Sequence, residues 1–315
     1  MTGALPARAL APAKVNLGLF LGPAREQDGR HELVTVMQSI SLADELTLEH
    51  APAGVAHDEI VCPGVPGAPG ENLAARALAA FRVATGWDVP PLRLRIVKRI
   101  PVAAGLGGGS ADAAAALRLA RYVSGLGDER LLRELGAALG ADVPAQIAPG
   151  RWLAGGAGEL LEALPDPNPA SFGLLVLPAS TGLSTAAVYA EADRLGLARS
   201  AEVLQERRHA LRRALELSAA VPAAGELLEN DLARAAISLC PEIADTLSQA
   251  REAGAEIALV SGSGPTVLGL FPHANGFGRA ERAAAGLASE RSSAGAPAPL
   301  CATPVDAAIA RATSA

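Results

Sequence analysis

Four glycines within five residues, Gly105, Gly107, Gly108 and Gly109, limit what this chain can build around them. They sit in Pro101-Val102-Ala103-Ala104-Gly105-Leu106-Gly107-Gly108-Gly109-Ser110-Ala111-Asp112, after a strand-like segment and before an alanine-rich one. Glycine has no Cβ, so such a backbone takes φ > 0 and lets its N–H groups press against a ligand. The helix expected over 111–123 aims its unpaired N–H groups and positive dipole end at the same point. Strand, glycine loop and helix in that order suit a bulky anion, above all a nucleotide polyphosphate. The competing reading is a flexible turn with Ser110 as helix N-cap.

Two familiar phosphate loops do not fit. A Gly-x-x-x-x-Gly-Lys-Ser/Thr loop needs a lysine, and none lies between Gly105 and Ala120. A dinucleotide loop needs Gly-x-Gly-x-x-Gly, and counting from Gly105 the third slot holds Ser110. Asp128 stands about where a ribose-binding acid would be sought, yet the segment 92–99 argues against that fold. Its apolar and basic residues alternate, which marks a half-exposed strand rather than the doubly buried strand of a parallel sheet.

Pro101 to Ser110 resembles the second motif of the GHMP kinases, a family of ATP-dependent small-molecule kinases. Ala11-Pro-Ala-Lys-Val-Asn-Leu17 is similar to that family's first motif, and Val260-Ser-Gly-Ser-Gly-Pro-Thr266 to its third. Asp28-Gly-Arg-His-Glu-Leu33 and Gly140-Ala-Asp-Val-Pro144 look like signatures of members whose acceptor is a cytidine diphosphate-linked methylerythritol. The resemblance implies an α+β, two-domain fold: a strand-rich N-terminal domain over 1–158, a ferredoxin-like α/β domain over 159–315, and an active site in the cleft between them. It implies ATP and Mg²⁺ as cofactors, and a monomer or homodimer. Other acceptors within the family (homoserine or mevalonate), or a nucleotide-binding module without catalysis, are the alternatives.

Composition agrees with such an enzyme. Half of the 315 residues are hydrophobic, but aromatics make only 3%, so aliphatic side chains must fill the core. The net charge of −6 gives no general electrostatic reason to bind nucleic acid. No apolar run approaches a membrane span of roughly 18 residues, and the first residues lack a signal-peptide core. A cytoplasmic location is the expectation. Three widely separated cysteines suit reduced thiols, and the five histidines show no metal-ligand spacing.

Strands are expected over 10–21, 45–49, 59–62 and 92–99. Helices are expected over 72–85, 111–123 and 129–139, with a short one from 142. The glycine-rich stretch 150–158 reads as a turn toward the second half. There the pattern predicts a strand from 172, helices over 185–195, 201–217, 226–235 and 241–253, and strands over 256–260 and 266–271. A helix over 278–288, a loop over 289–299 and an edge strand over 300–304 complete it.

Period-two alternation puts Lys14 and Asn16 on one strand face, roughly 6–7 Å apart, where both can serve one substrate hydroxyl. A lone strand lysine is otherwise just solvated. Asp142 precedes Val143-Pro144 and by itself reads as a helix N-cap. The resemblance instead implies that Asp142 pairs with Lys14 and either takes the acceptor's proton or orients its hydroxyl. It also implies that the glycine loop through Ala111 binds ATP, with Asn72 and Lys98 beside the purine. Lys98 alternatively belongs to the basic face of an exposed strand. Ser110 either caps the helix or touches Mg²⁺, and no metal-ligating Glu can be placed. Asp112 would repel phosphate if it faced inward, so it is expected to point sideways or act through metal and water.

For the cytosine, the resemblance implies His31 at the base edge, with Arg30 in place of the usual Tyr; a guanidinium plane can stack on a base. Tyr189, one turn after Thr185 on the same helix face, is implied as the second stacking group. A polar turn residue for His31 and a core role for Tyr189 are the structural alternatives. Gly262 and Gly264 let the third motif approach the substrate or form a tight turn. The Asn230-Asp231 pair resembles one in the family, without a role evident from sequence.

Overall fold

The computed structural model describes residues 3–65, 69–217 and 227–314. The chain opens with two long strands, β1 (Ala7–Ala24) and β2 (His31–His50), followed by the short β3 (Glu59–Val61). Helix α1 (Leu73–Thr85), strand β4 (Leu92–Val97) and helices α2 (Gly108–Ser124), α3 (Glu129–Leu139) and α4 (Val143–Ile147) come next. A hairpin of β5 (Arg151–Gly155) and β6 (Leu160–Leu164) leads to β7 (Phe172–Leu177). Helices α5 (Thr185–Arg194), α6 (Ala201–Leu217), α7 (Ala233–Leu239) and α8 (Glu242–Glu252) precede strands β8 (Ile257–Val260) and β9 (Val267–Pro272). Helix α9 (Gly276–Ser293) and strands β10 (Leu300–Ala302) and β11 (Thr313–Ser314) end the chain.

The strands form two sheets. The first runs β11-β1-β2-β4-β3, with β5 pairing the front half of β2 and β6 pairing β5. The second is antiparallel, in the order β10-β7-β9-β8. The division expected between 158 and 159 falls inside the β5–β6 hairpin, so the first sheet continues to Leu164 and also recovers β11 from the chain's far end.

Burial explains the layering. Helices α1 and α2 cover one face of the first sheet, where Leu78, Phe81 and the α2 alanines meet Leu46, Leu48, Leu92 and Leu94. Alanines 113–116 of α2 are all but inaccessible, and a helix buried nearly all round needs such small side chains to let its neighbours close in. The inner faces of the two sheets share a core: Val15, Leu17, Phe20, Val34 and Val36 pack with Phe172, Leu174, Val176, Leu268 and Leu270. Each such side chain contributes roughly 1.5–3 kcal/mol on full burial. Helices α5, α7, α8 and α9 cover the outer face of the second sheet.

Several expectations need correction. Strand β2 begins at His31, not 45, because residues 34–40 are buried without a break and show no alternation. Residues 150–158 are mostly strand β5, paired to Thr35, Val36, Met37 and Gln38. The helix expected over 226–235 is absent from 227–232, where Leu19 bridges Asn230 instead, and α7 starts at Ala233; residue 226 lies outside the described residues. Helix α9 runs through 289–293, which read as loop because of its polar residues. Among the described residues no helix is long and apolar enough to cross a membrane, and Cys62, Cys240 and Cys301 are free thiols.

The start of α9 backs directly onto β7: a Cβ on Gly173 would lie 2.3 Å from the Gly276 carbonyl carbon. Gly286, later in α9, has open space around it. Gly173→Ala should therefore cost about 2–3 kcal/mol through overpacking, whereas Gly286→Ala should add about 1 kcal/mol of helix propensity. Urea denaturation of the two variants checks the opposite signs.

Candidate active site

The glycine loop is fastened at both ends. After β4, Asp44 Oδ1 accepts from the backbone N–H of Arg99 at 2.6 Å and of Ile100 at 2.8 Å, which sets the direction of the chain entering the loop. Leu106 O then accepts from the Lys14 N–H of β1 at 3.0 Å. Gly105 and Gly107 lie at φ +73° and +69°, and a Cβ on Gly107 would stand 2.9 Å from Lys14 Cγ. Ala103 holds φ +56° without being glycine, a conformation costing roughly 1–2 kcal/mol. Gly107 is the residue before α2, so the helix starts at Gly108, three residues earlier than expected, and Ser110 is not its cap. The N–H groups of Gly108, Gly109 and Ser110 are thus those without helical partners. Ala111 does not join them: its N–H bonds Gly107 O and its side chain is packed in the core.

The loop stands between two cavities. One, of about 460 Å³, is lined by residues 101–110 together with Asn72, Lys98, Cys62 and Asp112. The other, of about 790 Å³, is lined by Lys14, Asn16, Arg30, His31, Asp142, Thr185, Tyr189 and Asp193 among others. Gly105, Gly107 and Ser110 face both.

In the larger cavity Lys14 is 8% exposed, and its Nζ donates to Asn16 Oδ1 at 2.9 Å and pairs with Asp142 Oδ2 at 3.3 Å. Asn16 in turn donates to Thr35 Oγ1 at 2.9 Å, and Thr35 donates to Gly18 O at 2.7 Å. The register of β1 on β2 shifts on either side of this pair, between Pro12 and Lys14 and between Asn16 and Leu19, and such irregularities re-aim side chains. Asp142 makes no capping bond to α4, so the salt bridge replaces the cap reading.

The third motif closes the floor. A Cβ on Gly262 would lie 3.2 Å from Asn16 Oδ1, and one on Gly105 would lie 2.7 Å from Gly264 O. The Asn230-Asp231 pair explains why the motif sits there. Asn230 Nδ2 donates to Val260 O at 2.8 Å and Gly262 O at 2.7 Å, while its Oδ1 accepts from Leu232 N. Asp231 accepts from Leu21 N of β1 at 2.9 Å and pairs with Arg199.

Farther along, His31 Nδ1 is 2.8 Å from Gly22 O and Nε2 is 2.9 Å from Asp193 Oδ1. Its ring centre is 5.7 Å from that of Tyr189. Burial, reinforced by the Asp142 charge, raises the pKa of the Tyr189 hydroxyl. Arg30 is held by a 2.8 Å bond from its Nη2 to Ala157 O, and Thr185 Oγ1 lies 3.0 Å from Ser263 Oγ.

In the smaller cavity Asn72 is the cap of α1, with its Oδ1 accepting from Ala74 N at 2.9 Å. Lys98 is not on an exposed strand face. It lies just past β4, turned inward, and its ammonium is gripped by Asp44 and by Asp112, the latter at 2.7 Å. Asp112 does point sideways, and its Oδ1 is buried without a partner. Burial raises the Asp112 pKa to about 7 against the opposing pull of Lys98. Burial works against the Lys98 charge too, and the two carboxylates outweigh it and raise its pKa. Sequence reasoning missed Asp44, Thr35 and Asp193. Only Asp193 left a signal, in the four-residue spacing of 185, 189 and 193.

A carboxyl raised on folding stabilises the protein fully below its unfolded pKa near 4 and loses that contribution as pH rises through about 7. Asp112→Asn should therefore flatten the decline in stability between pH 5 and pH 8, read from urea midpoints at the two pH values.

Comparison with known proteins identifies the family. The description "GHMP kinases N terminal domain" fits residues 72–150 and "GHMP kinases C terminal" fits 201–291. A relative from Corynebacterium efficiens, described as 4-diphosphocytidyl-2-C-methyl-D-erythritol kinase, is 42% identical over 82% of this chain and 83% of its own. The crystal structure of a 4-(cytidine 5'-diphospho)-2C-methyl-D-erythritol kinase superimposes with a TM-score of 0.72 at 32% identity, over 94% of this chain and 98% of its own. A homoserine kinase from Cytophaga hutchinsonii gives the same TM-score at 15% identity, over 99% of each chain, and so shares the fold alone. With its two halves matched in order, this chain belongs to the GHMP kinase family.

Proposed function

We propose that the chain is an ATP-dependent kinase that phosphorylates the 2-hydroxyl of 4-diphosphocytidyl-2-C-methyl-D-erythritol, in the non-mevalonate route to isoprenoid precursors. The observation that carries this reading is the Lys14–Asp142 ion pair, seated beside Gly107 at the junction of the two cavities. Relatives that are named for this reaction and align over most of the chain supply the acceptor's identity.

The smaller cavity is the place for ATP. Its phosphates would meet the open N–H groups at the start of α2, where the helix dipole favours negative charge. Asn72 and Lys98, at the far side of the loop, would flank the purine. Because Asp44 and Asp112 already hold the Lys98 ammonium, its contact with the base would be made largely by its stem.

The acceptor would lie in the larger cavity with its cytosine between Arg30 and Tyr189 and beside His31. Its hydroxyl would reach Lys14 and Asp142. As the hydroxyl oxygen attacks the γ-phosphorus, a new O–P bond forms, the bond to the β–γ bridging oxygen breaks, and ADP leaves. Asp142 receives the proton or orients the hydroxyl that loses it, and the Lys14 ammonium stabilises the alkoxide as it develops. Positioning and charge neutralisation supply most of the rate in phosphoryl transfer, which suits a site built from fixed loops.

Among the described residues no group of three or more His, Cys, Asp or Glu side chains is placed to hold a metal. A Mg²⁺ ion would be carried mainly by the nucleotide's phosphates, and the Ser110 hydroxyl, which faces both cavities, would be its protein contact. The ion would supply further neutralisation of phosphate charge.

The test is ADP release from ATP and Mg²⁺ with a panel of alcohols: mevalonate, homoserine and the diphosphocytidyl compound. Turnover with the last alone is expected, and turnover with another acceptor in its place would overturn the reading. Asp142→Asn should cut kcat by a factor on the order of 10²–10⁴ while nucleotide binding, followed by calorimetry, stays close to that of the parent.

A further inference from the structure

We infer that Arg118 is a positioning residue, whose guanidinium bridges β1 to α4 from α2 and so holds Lys14 and Asp142 in place. The inference rests on the reading of that ion pair given above.

Strand β1 does not fix its own course as far as Lys14. It has β2 along one edge, while on the other edge, among the described residues, β11 pairs only Ala7 and Arg8. Between there and Lys14 the backbone groups of alternate residues find partners outside the sheet. Leu10 O accepts from Arg118 Nη2 at 2.7 Å, and Pro12 O accepts from Gln146 Nε2 at 3.1 Å. The Lys14 N–H then donates to Leu106 O at 3.0 Å.

Helix α4 is no more self-sufficient. It spans five residues, too few to persist unaided, and Asp142 makes no capping bond to it. Its last carbonyls lack helical partners, and positive charge is favoured at that end. Arg133 Nη1 donates to Pro144 O at 3.2 Å, and Arg118 Nη1 donates to Gln146 O. One guanidinium therefore grips a carbonyl four residues before Lys14 and another four residues after Asp142. Gln146 ties α4 to β1 directly, and Arg118 ties both of them to α2, whose first turn borders both cavities.

Arginine is a costly group for this post. Burial pushes its pKa down to about 9 with no neighbouring charge to oppose the shift, and its Nε is buried without a partner. What it offers in return is reach: a planar guanidinium presents donors from two terminal nitrogens at a fixed angle, which an ammonium cannot do. Leu117 and Leu119 on either side of it are fully buried, so the helix that carries the bridge is itself anchored in the core.

The experiment compares the full-length parent with Arg118→Met, Arg118→Lys and Arg133→Met, measuring kcat, both KM values, calorimetric ATP affinity and thermal melts. Methionine is long and apolar and donates nothing, so kcat should fall on the order of 10- to 100-fold, the scale of a small misplacement of reacting groups. ATP affinity should stay within about two-fold, because the open N–H groups of α2 begin ten residues away, roughly 15 Å along the helix. Lysine keeps the charge but reaches one carbonyl, so Arg118→Lys should recover part of the loss. Arg133→Met uncaps α4 without touching β1, and it should lower the melting temperature while kcat stays near that of the parent. Parental kcat in either Arg118 variant, or an equal fall in Arg133→Met, would overturn the bridge. If Arg118→Met does not fold, Arg118→Lys decides by the same criterion. A parent without turnover on any acceptor would overturn the reading of the ion pair, and this inference with it.

Discussion

Taking an ammonium group out of water costs several kcal/mol unless nearby charges and dipoles make up the loss, and Lys14 stands 8% exposed in the middle of β1. Its surroundings are arranged around that cost. Asp142 supplies the counter-charge, Asn16 supplies an amide oxygen, and Thr35 and Gly18 fix the asparagine in turn. Gly107 is glycine because a side chain there would strike the Lys14 stem, and the positive φ it adopts opens α2 toward the smaller cavity. Placing the lysine thus ties the glycine loop to the wall of the larger cavity.

Helix α2 carries this arrangement into the core. Its alanines let α1 and the first sheet approach closely, and its first turn delivers the open N–H groups to the loop. A carboxylate in that turn, Asp112, would oppose phosphate if it faced the loop. It faces Lys98 instead, and Asp44 shares the same ammonium while holding the backbone at Arg99 and Ile100. Two acids on one base leave this corner short of positive charge, which is why burial prevails at Asp112.

Much of this was legible in the residues. The β1 alternation put Lys14 and Asn16 on one face, and the amphipathic pattern of 129–139 and 201–217 matched α3 and α6 to the residue. What escaped did so for physical reasons. Residues 34–40 of β2 are buried on both faces and show no alternation. The start of α2 is hidden because glycine, poor inside a helix, is tolerated at its open end. Strand β5 hides among glycines that flank it in turns. The Lys98–Asp44 contact joins residues 54 positions apart, and no local pattern announces such a pair. Asp193 was within reach, because the spacing that singled out Tyr189 after Thr185 extends one more turn.

The asparagine that holds the third motif has a consequence for anyone who would move that motif elsewhere. Asn230 is bonded to Val260 and Gly262 from thirty-odd residues upstream, and the same peptide segment is stitched to β1 through Leu19. The glycine turn is therefore no portable cassette: grafted into another scaffold without its distant clasp, the sequence 260–266 would arrive without the shape that gives it meaning.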